Sequence, residues 1–390
     1  MAGALNHLLR KRDGGHARVG FAELFYDLVF VFAITQLSHS LIAHMTPLGF
    51  AETGLLFLAT WWTWIYTAWA TNWLDPEKIG VRLMLFVLMG AGLLFSISIP
   101  QAFGARGVLF AAAFVFMQVG RSLFVALVMR GSRGGAMNFV RIACWACLSG
   151  ALWLWGGFSG PHDRLLLWAI AVAIEFIGPF TGYRVPGLGA SDPDEWDVEG
   201  AHMAERCGLF IIIALGESIL ITGATFSAMP WTPAVIAGFA SAFVSSVAMW
   251  WVYFNIGADR ASTRIAHADH AGRKARAEYT FLHIPIVAGI VVTAASDEMV
   301  LKHPGGHAEP LVAACLIGGP ALYLLGNLFF KRATAGFFQL SHLVGLALLA
   351  ALAIAAAVAT PLMLSIGATL VLVLVGLWET LSLGSRKADL

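Results

Sequence analysis

Long apolar stretches, each near the length of a bilayer crossing, follow one another along this chain and are broken by short polar joints. About 20 apolar residues are needed to span hydrocarbon as a helix. The pattern predicts twelve such helices, at 22–44, 50–72, 80–99, 107–129, 138–157, 163–183, 202–227, 232–256, 279–299, 309–330, 337–357 and 362–384. Proline marks the breaks: Pro47, Pro76, Pro100, Pro161, Pro193, Pro230, Pro304 and Pro361 sit in or beside the joints. The fold class expected is an all-α, polytopic transmembrane bundle.

The two halves repeat. LVFVFAITQ at Leu28–Gln36 matches LFIIIALGE at Leu209–Glu217, and WIYT at Trp64 matches WVYF at Trp251. LMGAGLL at Leu88 matches PIVAGIV at Pro285, VGRSLF around Gly120 matches LGNLFF around Gly326, NFVRIA at Asn138 matches QLSHLV at Gln339, and AIEF around Glu175 matches LWET around Glu379. The common order predicts two parallel six-helix repeats, since an even number of spans returns the chain to its starting side. The domains expected are a basic cytoplasmic N-terminus at 1–19, a first repeat at 20–185, an acidic cytoplasmic linker at 186–200 and a second repeat at 201–385. Within the linker, SDPDEWDVE runs from Ser191 to Glu199.

Charge sets the orientation. Of the 24 Lys and Arg, nineteen fall in joints on one side of a twelve-span arrangement and three (Arg106, Arg164, Lys302) on the other; Arg121 and Arg206 stay within spans. The positive-inside rule then places both termini in the cytoplasm. Lys331 and Arg332 enter that tally as joint residues. The longest joint, about 257–278, carries Arg260, Arg264, His267, His270 and Arg273 and reads as a lipid-facing cytoplasmic segment.

Composition agrees and excludes other classes. The 390 residues are 59% hydrophobic and 12% charged, with a net charge of +1. A soluble domain carries about 25% charged residues. The near-neutral balance excludes a nucleic-acid partner. The four cysteines lie in apolar runs, which argues against a secreted disulfide framework, and Cys144 and Cys147 lack the soluble redox fold their spacing would need. The aromatic run WWTWIYTAWATNW at Trp61–Trp73 reads as packing with an interfacial belt at its cytoplasmic end.

Ionisable groups inside the spans carry the candidate chemistry, because each costs about 2.5–3.5 kcal/mol even on the mild insertion scale. Glu23 and Asp27 are four apart and share a face of the first helix. Glu23 sits where an acid complements a helix N-terminus. Asp27, deeper among Phe25, Tyr26, Leu28 and Phe30, needs a partner, and Arg206 on the seventh helix is the first candidate. Gln36 and Glu217 hold the repeat-matched position past the midplane, and His39 lies on the face of Gln36. His202, Glu205 and Arg206 open the seventh helix. An HxxE pair ligates metal only with a second pair of donors, for which Glu23 and Asp27 are the obvious residues. No metal and no cofactor is expected. Glu175 and Glu379 are matched acids of the sixth and twelfth helices; Arg121 is a buried cation expected to neutralise one acid in a structural network. His283, with Pro285, suggests a broken span. His342 reads as a hydrogen-bonded interior histidine. No nucleophile elbow, Walker A or dinucleotide fingerprint is present, so the chain is not read as an enzyme.

At RVGFAELFYDLVFVFAITQLSH (Arg18–His39), HMAERCGLFIIIALGESI (His202–Ile219) and LHIPIVAGI (Leu282–Ile290) the chain resembles the low temperature requirement protein A (LtrA) family of bacterial integral membrane proteins. The resemblance runs from about residue 18 to 384. It implies a multi-span membrane protein whose name records a cold-growth phenotype and leaves the molecular activity open. The stretch LFYDLVFVFAITQL is also similar to the first helix of the bacterial relatives of the lysosomal potassium channel. Arg18, Phe25, Tyr26 and Asp27 stand near that family's Arg and Phe-Ser-Asp, with Tyr26 in place of the Ser.

The leading expectation is a secondary transporter, proton- or cation-coupled, whose pathway runs past Glu23, Asp27, Gln36, His39, Glu205, Arg206 and Glu217. The alternatives are a cation channel with Leu28, Val31, Phe32 and Ile211 at its constriction, a membrane-embedded enzyme acting on lipids, and a structural or sensory role. Membrane lipid and a proton or small cation are the partners expected, and a homodimer is left open.

Overall fold

Twelve α-helices follow one another in the computed structural model, which describes residues 5–11, 18–191, 198–255 and 276–388. They are α1 (Phe21–Ala43), α2 (Pro47–Trp73), α3 (Ile79–Ser98), α4 (Gly107–Val128), α5 (Arg133–Phe158), α6 (Pro161–Phe180), α7 (Gly200–Ser227), α8 (Pro233–Phe254), α9 (His283–Lys302), α10 (Pro310–Ala335), α11 (Leu340–Ala355) and α12 (Pro361–Ala388). Nine are long and apolar enough to cross a membrane; α2, α6 and the 16-residue α11 are the three outside that set. The basic joint with Arg260, Arg264, His267, His270 and Arg273, and most of the acidic linker, lie outside the described residues.

Proline and glycine set the helix ends. Pro161, Pro233 and Pro310 occupy first turns, where the missing N–H would have had no helical partner anyway. The Thr232 hydroxyl accepts from Val235 N at 3.3 Å and caps α8. Gly336 closes α10 at φ 89°, a left-handed conformation open to glycine at no steric cost. The break expected near His283 takes the form of a π-helical segment, Arg276–Phe281, which gives way to α9.

The described chain divides into two units. The first takes α1 as far as Ser40 and the chain from Phe50 to Arg206; the second takes Leu41–Gly49 and, from Cys207, the rest of α7 and α8 to α12. The division falls inside α7, six residues beyond the linker that the sequence suggests.

In the first unit α4 packs on α3 and α5, and α5 on α6. Phe95, Phe110, Phe114, Trp153 and Trp168 stack at its centre, with neighbouring ring centroids as close as 4.4 Å. Most of the aromatic run of α2 is core as well: Trp61, Trp62 and Trp64 are buried. Arg164, expected in an outer joint, is buried in the first turn of α6. Its guanidinium donates to the carbonyls of Ala102, Gly104, Gly156, Gly157 and Ser159 at 2.7–3.0 Å. Five carbonyls at the ends of two helical hairpins are thereby satisfied without water, as a nonpolar environment demands.

In the second unit α9 packs on α10 and α8, α8 on α12, and α11 on α10 and α12. Small residues let α9 and α10 approach closely, the usual solution where lipid removes the hydrophobic drive. A Cβ on Gly289 would fall 2.5 Å from Tyr323 N, and one on Gly326 2.8 Å from Ile286 N. Gly289→Ala is therefore expected to cost about 1–3 kcal/mol, read as a lower unfolding midpoint in detergent. Gly318→Ala, with nothing within 4 Å, is the neutral control. Equal midpoints for the two variants would show that the helices part without cost.

Candidate functional site

Asp27 and Glu23 lie one turn apart on α1 and are both fully buried, while Phe21, Phe25 and Leu28 form an exposed apolar stripe on the same helix. Arg206, Trp64, Gly20, Arg10 and His202, from α7, α2 and the segment before α1, close around the two acids.

The Arg206 guanidinium grips Asp27 with two parallel hydrogen bonds, Nη1 to Oδ2 at 2.8 Å and Nη2 to Oδ1 at 2.9 Å. This is the partner the sequence suggests for Asp27, and the bidentate fork is the strong form of the pair. Trp64 Nε1 donates to Asp27 Oδ1 at 2.8 Å, and its ring lies under the guanidinium, 5.4 Å from the carbon. Thus Asp27 is bonded from α2 and α7 at once.

Glu23 has a different set of donors. Its Oε2 accepts from Gly20 N at 2.8 Å, the reach-back of a capping box, and from Arg10 Nη2 at 3.1 Å. Its Oε1 meets His202 Nε2 at 3.0 Å and stands 3.8 Å from Arg206 Nε. Arg10 in turn donates through Nε to Thr71 O at 2.8 Å and Leu74 O at 3.1 Å, so the N-terminal segment is tied to the end of α2.

Both ring nitrogens of His202 are engaged. Asn72 and Glu199 exchange hydrogen bonds through Nδ2 to O at 2.9 Å and N to Oδ1 at 3.0 Å, which orients the amide. The Asn72 Nδ2 then faces His202 Nδ1 at 3.3 Å as a donor. The His202 Nε2 lies 3.0 Å from both Glu23 Oε1, an acceptor, and Arg10 Nη2, a donor. Two carboxylates and two guanidinia surround the imidazole, and the formal charges of the acids and the arginines cancel.

Glu205 accepts from Val19 N at 3.2 Å, one residue before the Gly20 that donates to Glu23. The structure separates other residues that the sequence groups with this cluster. Among the described residues no three of His, Cys, Asp and Glu gather as a metal would require. Gln36 is half-buried and His39 is exposed, nine and twelve residues beyond Asp27 on α1. Glu217 is buried eleven residues beyond Arg206, about 17 Å further along α7.

The secondary charges fall into two groups. In the first unit Arg121 donates to Thr63 O at 3.3 Å, Thr67 Oγ1 at 3.2 Å and Gln118 Oε1, and lies over Tyr66. It reaches Glu175 through Gln118, whose Nε2 stands 3.4 Å from Glu175 Oε2; Ser149 donates to the other oxygen at 2.5 Å. Both charges line a small cavity with Tyr66, Ser122, Trp145 and Tyr183, with room for about one water, near 10 Å³. Thr67 links this group to α1 through the Tyr26 hydroxyl at 3.0 Å.

Glu379 belongs to another network. Its carboxylate takes both oxygens to Lys331 Nζ, at 2.9 and 2.8 Å, and Nζ also donates to Val252 O at 2.7 Å. His342 Nδ1 is 3.4 Å from Glu379 Oε1. Arg121 is expected to neutralise one of the two acids, and the structure differs. The guanidinium touches neither directly, and Glu379 finds a lysine that the sequence places in a cytoplasmic joint. That placement fails because α10 runs to Ala335, several residues past the apolar stretch, and carries Lys331 into the protein. His283 accepts from Tyr253 OH through Nε2 at 2.8 Å and donates from Nδ1 to Glu278 O at 2.9 Å.

Arg10, Trp64 and Asn72 are site residues that the sequence does not single out. Arg10 sits in an unremarkable basic terminus and Trp64 in an aromatic run that packs. Only Asn72, a polar side chain at the end of a long apolar helix, gives a local sign.

The model of the family described as "Bacterial low temperature requirement A protein (LtrA)" matches residues 18–377. A protein of Rhizobium meliloti (strain 1021), "Uncharacterized protein RA0937", is 42% identical over 356 residues, 90% of this chain and 86% of that protein. No solved structure matches.

Proposed function

Given that the chain belongs to the bacterial low temperature requirement A (LtrA) family, we propose that it is a secondary transporter of the cytoplasmic membrane, coupled to protons or a small cation. We read it as a carrier in preference to an enzyme, with two parallel six-helix repeats and both termini in the cytoplasm.

One observation carries the reading: the charge-balanced cluster of Asp27, Glu23, Arg206 and Arg10 closed around His202. Buried ion pairs are not a cheap way to hold helices together, since apolar residues of similar volume do as well or better. They are reversible contacts instead. A proton on Asp27, or a cation drawn to it, competes with Arg206 and opens the link between α1 and α7. A ligand that favours the opened arrangement shifts the population toward it.

The test is proton flux from purified protein in liposomes loaded with a pH-sensitive dye, under an imposed gradient. Wild-type protein is expected to dissipate the gradient, and folded Asp27→Asn to lose that flux. Flux of wild-type size in Asp27→Asn would remove the cluster from the mechanism. Glu217→Gln, at the deepest acid of α7, is expected to lower flux while leaving the unfolding midpoint near that of the wild type. Unchanged flux would take Glu217 out of the pathway.

A further inference from the structure

We propose that Asp297 is a proton-binding site in the membrane-embedded α9, distinct from the charge cluster of α1 and α7. The proposal goes beyond the transport reading and stands whether or not flux is found.

The argument starts from burial without compensation. Asp297 is 4% exposed. Its Oδ2 is enclosed and has no hydrogen-bond partner, and no cation forms an ion pair with the carboxyl among the described residues. Its counterparts are treated differently. Glu23, Asp27 and Glu379 each touch an arginine or a lysine, and the adjacent Glu298 bonds Lys302 Nζ at 2.6 Å. A buried carboxylate with no counter-charge costs several kcal/mol, and taking up a proton removes that cost.

Among the described residues the elements packed on α9 bring no free cation to Asp297. Gly289 meets Tyr323, Thr293 meets Gly319 and Ile286 meets Gly326, so the antiparallel register of α9 and α10 brings Asp297 level with Cys315, a buried thiol. On the α8 side Gly238 meets Val300 and Leu301, and the one titratable group of that helix is Tyr253, bonded to His283 near the other end of α9. Glu379 on α12 and Lys331 on α10 are committed to each other. Tyr279, on the π-helical segment, lies at the opposite end of α9, and Arg332 lies at the far end of α10. Beyond Lys302 come His303, His307 and Glu309, past the C-terminus of α9.

Two measurements test this on the full chain. The first is unfolding of wild type and Asp297→Asn in mixed micelles from pH 5 to 7. An unfolded aspartate is ionised above about pH 3.9. If the folded chain holds the proton, the wild type releases it on unfolding and loses stability as pH rises. The ratio of wild-type to Asp297→Asn unfolding constants then climbs by up to about tenfold per pH unit. The second is labelling of wild type with dicyclohexylcarbodiimide, located by peptide mass spectrometry. The carboxyl proton passes to a carbodiimide nitrogen as the oxygen bonds the central carbon, and no group leaves. A protonated acid in hydrocarbon reacts, and an ion-paired carboxylate does not. The expected result is an adduct on Asp297 that fades as pH rises, with Asp27 and Glu379 unlabelled. A flat stability ratio, or a pH-dependent adduct on Glu217 or Glu278 in place of Asp297, overturns the proposal.

Discussion

Arg206→Leu is expected to unfold in detergent with a loss of about 3–5 kcal/mol, the usual effect of removing one partner of a buried pair. The substitution strands Asp27, which is fully buried and keeps only the Trp64 donor, and takes from Glu23 a charge 3.8 Å away. Nothing on α1 compensates, because Glu23 is itself an acid and the Tyr26 hydroxyl is already bonded to Thr67. Removing both charges should be far milder. Asp27→Leu with Arg206→Leu replaces the pair by apolar groups and is expected to recover most of the stability, while flux stays lost. Thermal unfolding of the two singles and the double completes the cycle. If the double variant is as unstable as Arg206→Leu, the stability at stake comes from the guanidinium packing on Trp64 and not from the charge balance.

The second large effect belongs to the other unit. Lys331→Met removes the cation to which Glu379 presents both oxygens, and leaves Val252 O without its donor. Again about 3–5 kcal/mol is expected, because a buried carboxylate remains. Glu379→Gln in the same chain relieves the charge, so the double variant is expected to be the more stable of the two. Unfolding midpoints in one detergent, with both proteins at equal concentration, decide it. A Lys331→Met protein as stable as the wild type would mean that His342, 3.4 Å from Glu379, takes over as the counter-charge.

How far the residues announced these sites depends on their position along the helices. Glu23 and Asp27 stand out because a carboxylate in an apolar run is costly and their spacing puts them on one face. Arg206 stands out for the same reason. Arg10, Arg164 and Lys331 did not, since basic residues near helix ends read as solvated loop charges. The structure instead buries Arg164 on five carbonyls and Lys331 on Glu379. Asp297 was missed because α9 was expected to end at 299, which leaves the acid in the outermost turn of the span; the helix continues to Lys302 and the acid is enclosed.

Hydropathy and punctuation alone determined that this is a membrane chain of successive helices, and where each begins and ends to within a few residues. Hydrocarbon enforces that much, because every backbone N–H and C=O must be paired inside its own segment. Which charge meets which was settled only by tertiary structure. Asp27 and Arg206 are 179 residues apart, and Lys331 and Glu379 are 48 apart. Such pairing depends on how helices lie side by side and on which rotamers reach, and no local pattern of residues records either.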